Sequence, residues 1–195
     1  MTEGLMIRRA EAADIPAIDA IYRAIHDLEE RGEAVIGWQR GVYPTAETAR
    51  EAVDAGEMYV LEEGGRIVAS GRINHQQMPA YAGVDWRFPA PDDRVLVLHT
   101  LTVDPGARGR GYARAFLSFY EDMARRMGCA ALRIDTNEKN AVARAMYAKH
   151  GYEERGVVPC VFNGIPGVGL VCMEKGICEG TGNSKQGTGI VSAAD

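Results

Sequence analysis

Hydrophobic and polar positions along the chain change period several times, and each change marks an element. Leu5–Arg8 is a short strand candidate, and Asp14 with Pro16 two residues later reads as a helix start. The helix that follows carries Ile15, Ile18, Ile21, Tyr22, Ile25 and Leu28 at helical spacing. A second helix is expected from Thr45, just after Pro44, to about Asp54. The period then falls to two. Met58–Glu62 and Ile67–Ile73 read as strands joined through Glu63-Gly64-Gly65-Arg66, where the glycine pair supplies the positive φ of a tight hairpin. Residues 75–93 carry Pro79, Pro89 and Pro91 and read as a long loop. Val95–Val103 is a strand, Gly109–Met127 an amphipathic helix and Leu132–Asp135 a strand. A helix from about Asn140 to Lys149 stops at Gly151, and Tyr152–Phe162 and Val168–Met173 close the pattern as strands.

This order is neither strict alternation nor blocks of one type. A mixed α/β sheet with helices on both faces accommodates it. Strands Val95–Val103 and Leu132–Asp135 flank a helix, so they are expected to form a right-handed parallel crossover. At 195 residues, with 46% hydrophobic and 25% charged, the chain reads as one domain over residues 1–175. Residues 176–195, where glycine and small polar residues replace the apolar pattern, read as a tail.

Charge and cysteine usage narrow the function classes. The net charge of −5 argues against binding nucleic acid or an anionic membrane through a whole-body field. The N-terminus lacks the apolar core of a signal peptide, and the uncharged run Gly156–Met173 is broken by Pro159, Gly164 and Pro166. Cys129, Cys160, Cys172 and Cys178 form no C-x-x-C pair and no His lies near them, so no metal site is expected. Reduced thiols in a cytoplasmic protein are the consistent reading.

Glycine, at 23 of 195 residues, exceeds the average share of ~7%, and two of the excess glycines stand where chemistry is expected. In VLVLHTLTVDPGARGRGYARA a strand ends at Asp104-Pro105, and a loop with Arg108, Gly109, Arg110 and Gly111 leads into a helix. Backbone N–H groups at a helix start lack intrahelical partners, and the macrodipole adds partial positive charge. With flanking arginines this suits a pyrophosphate, although a tight loop with solvated arginines has the same spelling. No Walker A sequence occurs. A dinucleotide fingerprint would use Gly109 and Gly111 with Asp135 as the ribose-binding acid, but Arg114 occupies the position that should be small.

Arg108-Gly109-Arg110-Gly111-Tyr112-Ala113 resembles the [Q/R]-x-x-G-x-[G/A] acetyl-CoA signature of the GCN5-related N-acetyltransferase (GNAT) family. LRIDTNEKNAVARAMYAKHGYEERG is similar to that family's second block, contributing Asn140, Arg144, Tyr147, Gly151 and Tyr152. The two blocks cover about Val95–Arg155. The resemblance implies a mixed, mostly antiparallel sheet with a splayed strand pair. It implies acetyl-CoA as co-substrate, its pantetheine arm beside the backbone of Leu101, Thr102 and Val103, and its pyrophosphate on the amides of Arg108–Ala113. Asn140 would contact the pantetheine or cap a helix, and Tyr147 would serve as the acid for the leaving thiolate. The family often forms dimers, so a homodimer is expected on that ground alone.

Direct transfer to an amine needs a base, an oxyanion donor and an acid. Simple alternation places His99, Leu101 and Val103 on one strand face. The Leu98-His99-x-Leu101-x-Val103 spelling resembles the strand of arylalkylamine N-acetyltransferases, which implies His99 as base; an ordinary imidazole pKa near ~6.5 suits that task. His75 is a second candidate, with Asp135 and Asp104 behind it. Trp38, Tyr43, His75, Tyr81 and Trp86 are the candidate acceptor walls for a small-molecule amine, with core or interface packing the equal alternative. A protein N-terminus or lysine as acceptor, and a non-catalytic acyl-CoA-binding module, are the alternatives.

Overall fold

The computed structural model describes residues 4–177. Within them, seven strands form one sheet in the order β1-β2-β3-β4-β5-β7-β6. The strands are β1 (Met6–Arg9), β2 (Met58–Glu63), β3 (Arg66–Asn74), β4 (Val95–Val103), β5 (Ala131–Asn137), β6 (Glu153–Phe162) and β7 (Ile165–Gly176). All neighbours pair antiparallel except β4 and β5, the expected parallel pair. The proposed tail, apart from Gly176 and Ile177, and with it Cys178, lies outside the described residues.

Four α-helices cover the sheet: α1 (Ile15–Glu30), α2 (Ala46–Asp54), α3 (Tyr112–Met127) and α4 (Ala141–Lys149). The apolar stripe of α1, with Ile15, Ile18 and Tyr22 buried, packs with Ala49 and Ala52 of α2 against Met58 and Val60 of β2. On the opposite face, Phe116, Leu117 and Tyr120 of α3 and Tyr147 of α4 pack against Leu96, Leu98, Leu132 and Ile134. A third cluster, on the side of the β6–β7 hairpin, joins Tyr81, Val95, Val97, Val168 and Leu170. Among the described residues no helix is long and apolar enough to cross a membrane.

Several boundaries shift for local reasons. Asp14 stands at the start of α1, but its carboxylate turns to Arg8 at 2.7 Å and to the Glu11 N–H at 2.8 Å instead of capping the helix. Thr45 does cap α2, accepting from the Thr48 N–H at 3.3 Å. Gly64 and Gly65 turn the β2–β3 hairpin with φ of 58° and 79°. α3 begins at Tyr112 and not at Gly109, because Gly109 and Gly111 adopt left-handed φ of 78° and 82° that no helix continues. β7 runs from Ile165 to Gly176, longer than its apolar run, because pairing with β5 and β6 on both sides extends it.

Candidate active site

A single irregularity in β4 shapes the site. Thr100 has φ of 52°, and the register with β3 jumps between Arg72↔His99 and Ser70↔Thr102. This bulge inserts one residue and reverses the alternation. Leu96 and Leu98 face α3, and after the bulge Leu101 and Val103 also pack toward α3. The expectation that His99 shares a face with Leu101 and Val103 is therefore corrected.

The bulge also ends the β4–β5 ladder. Pairing runs from Val95↔Ala131 to Leu98↔Ile134 and stops. Tyr120 pins the paired end, its buried hydroxyl lying 2.6 Å from the Leu96 carbonyl and 3.0 Å from that of Arg133. Beyond Ile134, β5 pairs with β7 alone, and β4 returns to β3 through Thr102↔Ser70 and Val103↔Ala69. The strands diverge into a cleft of about 550 Å³ whose walls include Leu101, Thr102, Val103, Arg108 and Asn140. It opens toward both faces of the sheet, meeting Tyr147, Met146 and Ala143 on the α4 side and Trp38, Tyr43, Phe162 and Leu170 on the other.

At one end stands the start of α3. Gly111 occupies the N-cap position with no side-chain cap, so the first N–H groups of the helix are free to meet an anion. A Cβ built at Gly109 or Gly111 would meet nothing within 4 Å. Backbone conformation, not crowding, requires glycine at both. Arg108 and Ala113 line the cleft. Arg110 points to Glu63 at 3.0 Å, and Tyr112 is buried with its hydroxyl 2.5 Å from the same carboxylate. Of Tyr112, then, only the backbone is available to a ligand.

α4 begins at Asn140, whose Oδ1 accepts from the Ala143 N–H at 3.1 Å while the residue lines the cleft. Tyr147, two turns on, is 5% exposed, and its hydroxyl has no hydrogen-bond partner among the described residues. Burial and the carboxylate of Asp135 push this phenol well above its ordinary range, so it stays protonated at neutral pH.

Asp135, placed behind His99 and His75 as a base candidate in the sequence, is the one of the three that lines the cleft. It lies just past the last parallel pair, on the cleft floor, and Tyr81 donates to its Oδ2 at 2.7 Å. Among the described residues no basic side chain pairs with it. Burial raises its pKa to about 6, with the Tyr81 bond pulling the other way. An acid ending the strand Leu132–Asp135 was the available signal, but its environment comes from residues far away in sequence.

The other candidates sit elsewhere. His99 is not on the cleft wall. Its Nε2–H donates to Asn74 Oδ1 at 3.0 Å, and Asn74 donates in turn to Glu57 at 2.9 Å. Burial and then Arg72 depress its pKa to about 4, below the ordinary value expected from sequence. His75 donates Nδ1–H to the Val95 carbonyl at 2.8 Å, outside the cleft wall. Tyr81, 2% exposed, reaches the site only through its hydroxyl. Trp86 packs edge-on to Tyr81 at 5.3 Å and under Arg133 at 4.0 Å, which makes it part of a clasp and not an acceptor wall. The clasp is completed by buried Glu174, which accepts from Arg133 at 3.3 Å and from the N–H groups of Arg87 and Phe88 at 2.8 and 3.1 Å. Trp38 does line the cleft, with Tyr43. Among the described residues no cluster of three His, Cys, Asp or Glu side chains could hold a metal.

Comparison with known proteins agrees with this geometry. Residues 20–152 match the profile of the Acetyltransferase (GNAT) family. The chain is 24% identical over 148 residues to the uncharacterized N-acetyltransferase YhfO of Bacillus subtilis, covering 76% of this chain and 89% of that one. A GNAT-family acetyltransferase from Streptococcus agalactiae superposes with a TM-score of 0.72 at 24% identity, covering 90% of this chain and 97% of the other. The structure of yncA from Salmonella typhimurium, a putative acetyltransferase with its cofactor acetyl-CoA, superposes with a TM-score of 0.63 at 21% identity over 90% and 95% of the two chains. The chain belongs to the acetyltransferase (GNAT) family, and acetyl-CoA-dependent N-acetyl transfer is its reaction class.

Proposed function

We propose that this chain acetylates a primary amine of a small molecule by direct transfer from acetyl-CoA, with Asp135 as base and Tyr147 as acid. The observation that carries this reading is the placing of a carboxylate with no basic partner and a phenol with no hydrogen-bond partner, among the described residues, on the walls of one strand-splayed cleft.

The free N–H groups at the start of α3, with Arg108 beside them, fit a diphosphate. The backbone of Leu101–Val103, which lines the cleft and is not paired to β5, offers an edge along which an extended, amide-bearing arm can add like a strand. Asp135, ionised above pH ~6, takes a proton from the acceptor ammonium. The freed lone pair then attacks the thioester carbonyl carbon, forming the C–N bond, and a backbone N–H of Leu101–Val103 stabilises the oxyanion. As the C–S bond breaks, the Tyr147 hydroxyl protonates the departing sulfur; the second proton on the attacking nitrogen and the one held by Asp135 leave to solvent, and solvent restores the phenol. The products are an N-acetyl amine and free coenzyme A thiol. No cysteine enters: Cys172 is buried and its thiol is pushed up to about 12 by burial.

An acetyl-transfer screen against a chemically diverse amine library tests this reading. The expected result is thiol release matched one-to-one by N-acetylated amine. Tight acetyl-CoA binding with no product from any amine or peptide would overturn it in favour of an acyl-CoA-binding module.

A further inference from the structure

The two arms of the cleft differ in chemistry. The cationic side chains on its wall, Arg108 and Lys139, belong to the loops leading into α3 and α4. The arm on the other face is walled by Ile25, Ile36, Trp38, Tyr43, Phe162 and Leu170. Trp38 meets Tyr43 edge-on at 6.1 Å, and Tyr43 meets Phe162 edge-on at 5.7 Å, so three rings form one continuous wall. Polar groups here are few, among them Tyr43, Thr100, Thr136 and Asn137. The hydroxyls of Tyr43 and Thr100 bond to each other, and Asn137 Oδ1 accepts from the Lys139 N–H at 3.0 Å. Asp135 supplies the charge on its floor, with an oxygen left over after the Tyr81 bond, while exposed Glu33 is held by Arg31 at 2.6 Å.

The roof of this arm is built, not incidental. The N–H groups of Ile36 and Gly37 donate to the two oxygens of Glu29 at 2.6 and 2.9 Å, which fixes the segment that brings Ile36 and Trp38 over the cleft.

Resting on the acetyl-transfer reading above, we propose that the acceptor is a primary amine on an aromatic or bulky apolar body, with no carboxylate beside the amine. An ammonium finds its counter-charge in Asp135 and a favourable π face in the ring wall. A carboxylate on the adjacent carbon is brought close to Asp135 without a cation to meet it, in a site where screening is weak. A polyhydroxylated amine leaves hydroxyls unpaired against apolar walls.

The test uses the wild-type enzyme with acetyl-CoA and four amines: 2-phenylethylamine, phenylalanine, 1,5-diaminopentane and glucosamine. Phenylalanine differs from 2-phenylethylamine by the carboxylate alone. The expected result is a kcat/KM for 2-phenylethylamine at least about tenfold above each of the others, the ratio that a single uncompensated polar or charged group produces. Equal or better turnover of phenylalanine or glucosamine overturns the proposed acceptor class and leaves acetyl transfer standing. Absence of product from all four and from a wider amine panel overturns acetyl transfer itself, and this proposal with it.

Discussion

Tyr81 donates its phenolic hydrogen to Asp135 Oδ2 at 2.7 Å, and that one bond ties the long segment before β4 to the floor of the cleft. Both partners are set by packing elsewhere: Trp86 donates Nε1–H to the Tyr81 carbonyl at 3.2 Å, and Arg133 and Glu174 lock Trp86 and the following backbone to β5 and β7. With Asp135 as the proposed base, Tyr81 would act through it as a positioning residue. The bond lowers the carboxyl pKa against the stronger effect of burial. Tyr81→Phe is expected to move the acid limb of kcat/KM to higher pH while turnover on the alkaline plateau stays within a few-fold of wild type. An unmoved limb with intact folding would show that Tyr81 is only packing.

Asp135 also makes a prediction about stability. An aspartate ordinarily titrates near 3.8, and burial raises Asp135 to about 6 in the fold, so the unfolded chain ionises first as pH rises. Between those values the unfolded state binds fewer protons, and stability falls with pH. The group costs up to about 3 kcal/mol above pH ~6, less whatever solvent in the open cleft returns. Asp135→Asn is expected to raise Tm at pH 8 and to leave it nearly unchanged at pH 4. Thermal melts at the two pH values measure this, and a lower Tm at pH 8 would contradict it.

For Tyr147, removal of the hydroxyl takes away the acid but not the ring that packs edge-on to Tyr152 at 6.1 Å. Tyr147→Phe is expected to lower kcat by about 10–100-fold, within the range of a general acid, with acetyl-CoA affinity almost unchanged. Steady-state kinetics beside calorimetric binding separate the two effects.

Gly111 tests the donor end. Its φ of 82° is one that asparagine tolerates and glutamate does not. Gly111→Asn is expected to fold and to bind acetyl-CoA within about tenfold of wild type. Gly111→Glu adds negative charge where an anion should dock and is expected to abolish binding by calorimetry. Equal affinity of both variants would remove the α3 start from the donor site.

The donor half of this site was legible because it is local. Arg108–Ala113 and the Asn140–Tyr147 spacing are contiguous spellings of a loop-to-helix turn and of one helix face, and the structure brings Arg108, Ala113, Asn140 and Tyr147 to the same cleft. The acceptor half was not. A β-branched residue in left-handed backbone is rare, so Thr100 gave no hint of the bulge, and alternation carried across it put His99 on the wrong side. For Tyr81 and Trp86 the sequence left substrate wall and packing onto the body equally open, because Glu174 and Arg133, which bury that loop, are distant in sequence. The same distance hid the environment of Asp135.

The most direct test of the account is the pH dependence of kcat/KM for wild type and Asp135→Asn with one accepted amine, alongside acetyl-CoA affinity. The wild type is expected to lose activity below an apparent pKa of about 6. The variant is expected to bind acetyl-CoA normally and to lose about 100–10,000-fold in kcat/KM, with that limb gone. A variant that turns over near the wild-type rate with the same pH limb would contradict the assignment of Asp135 as base.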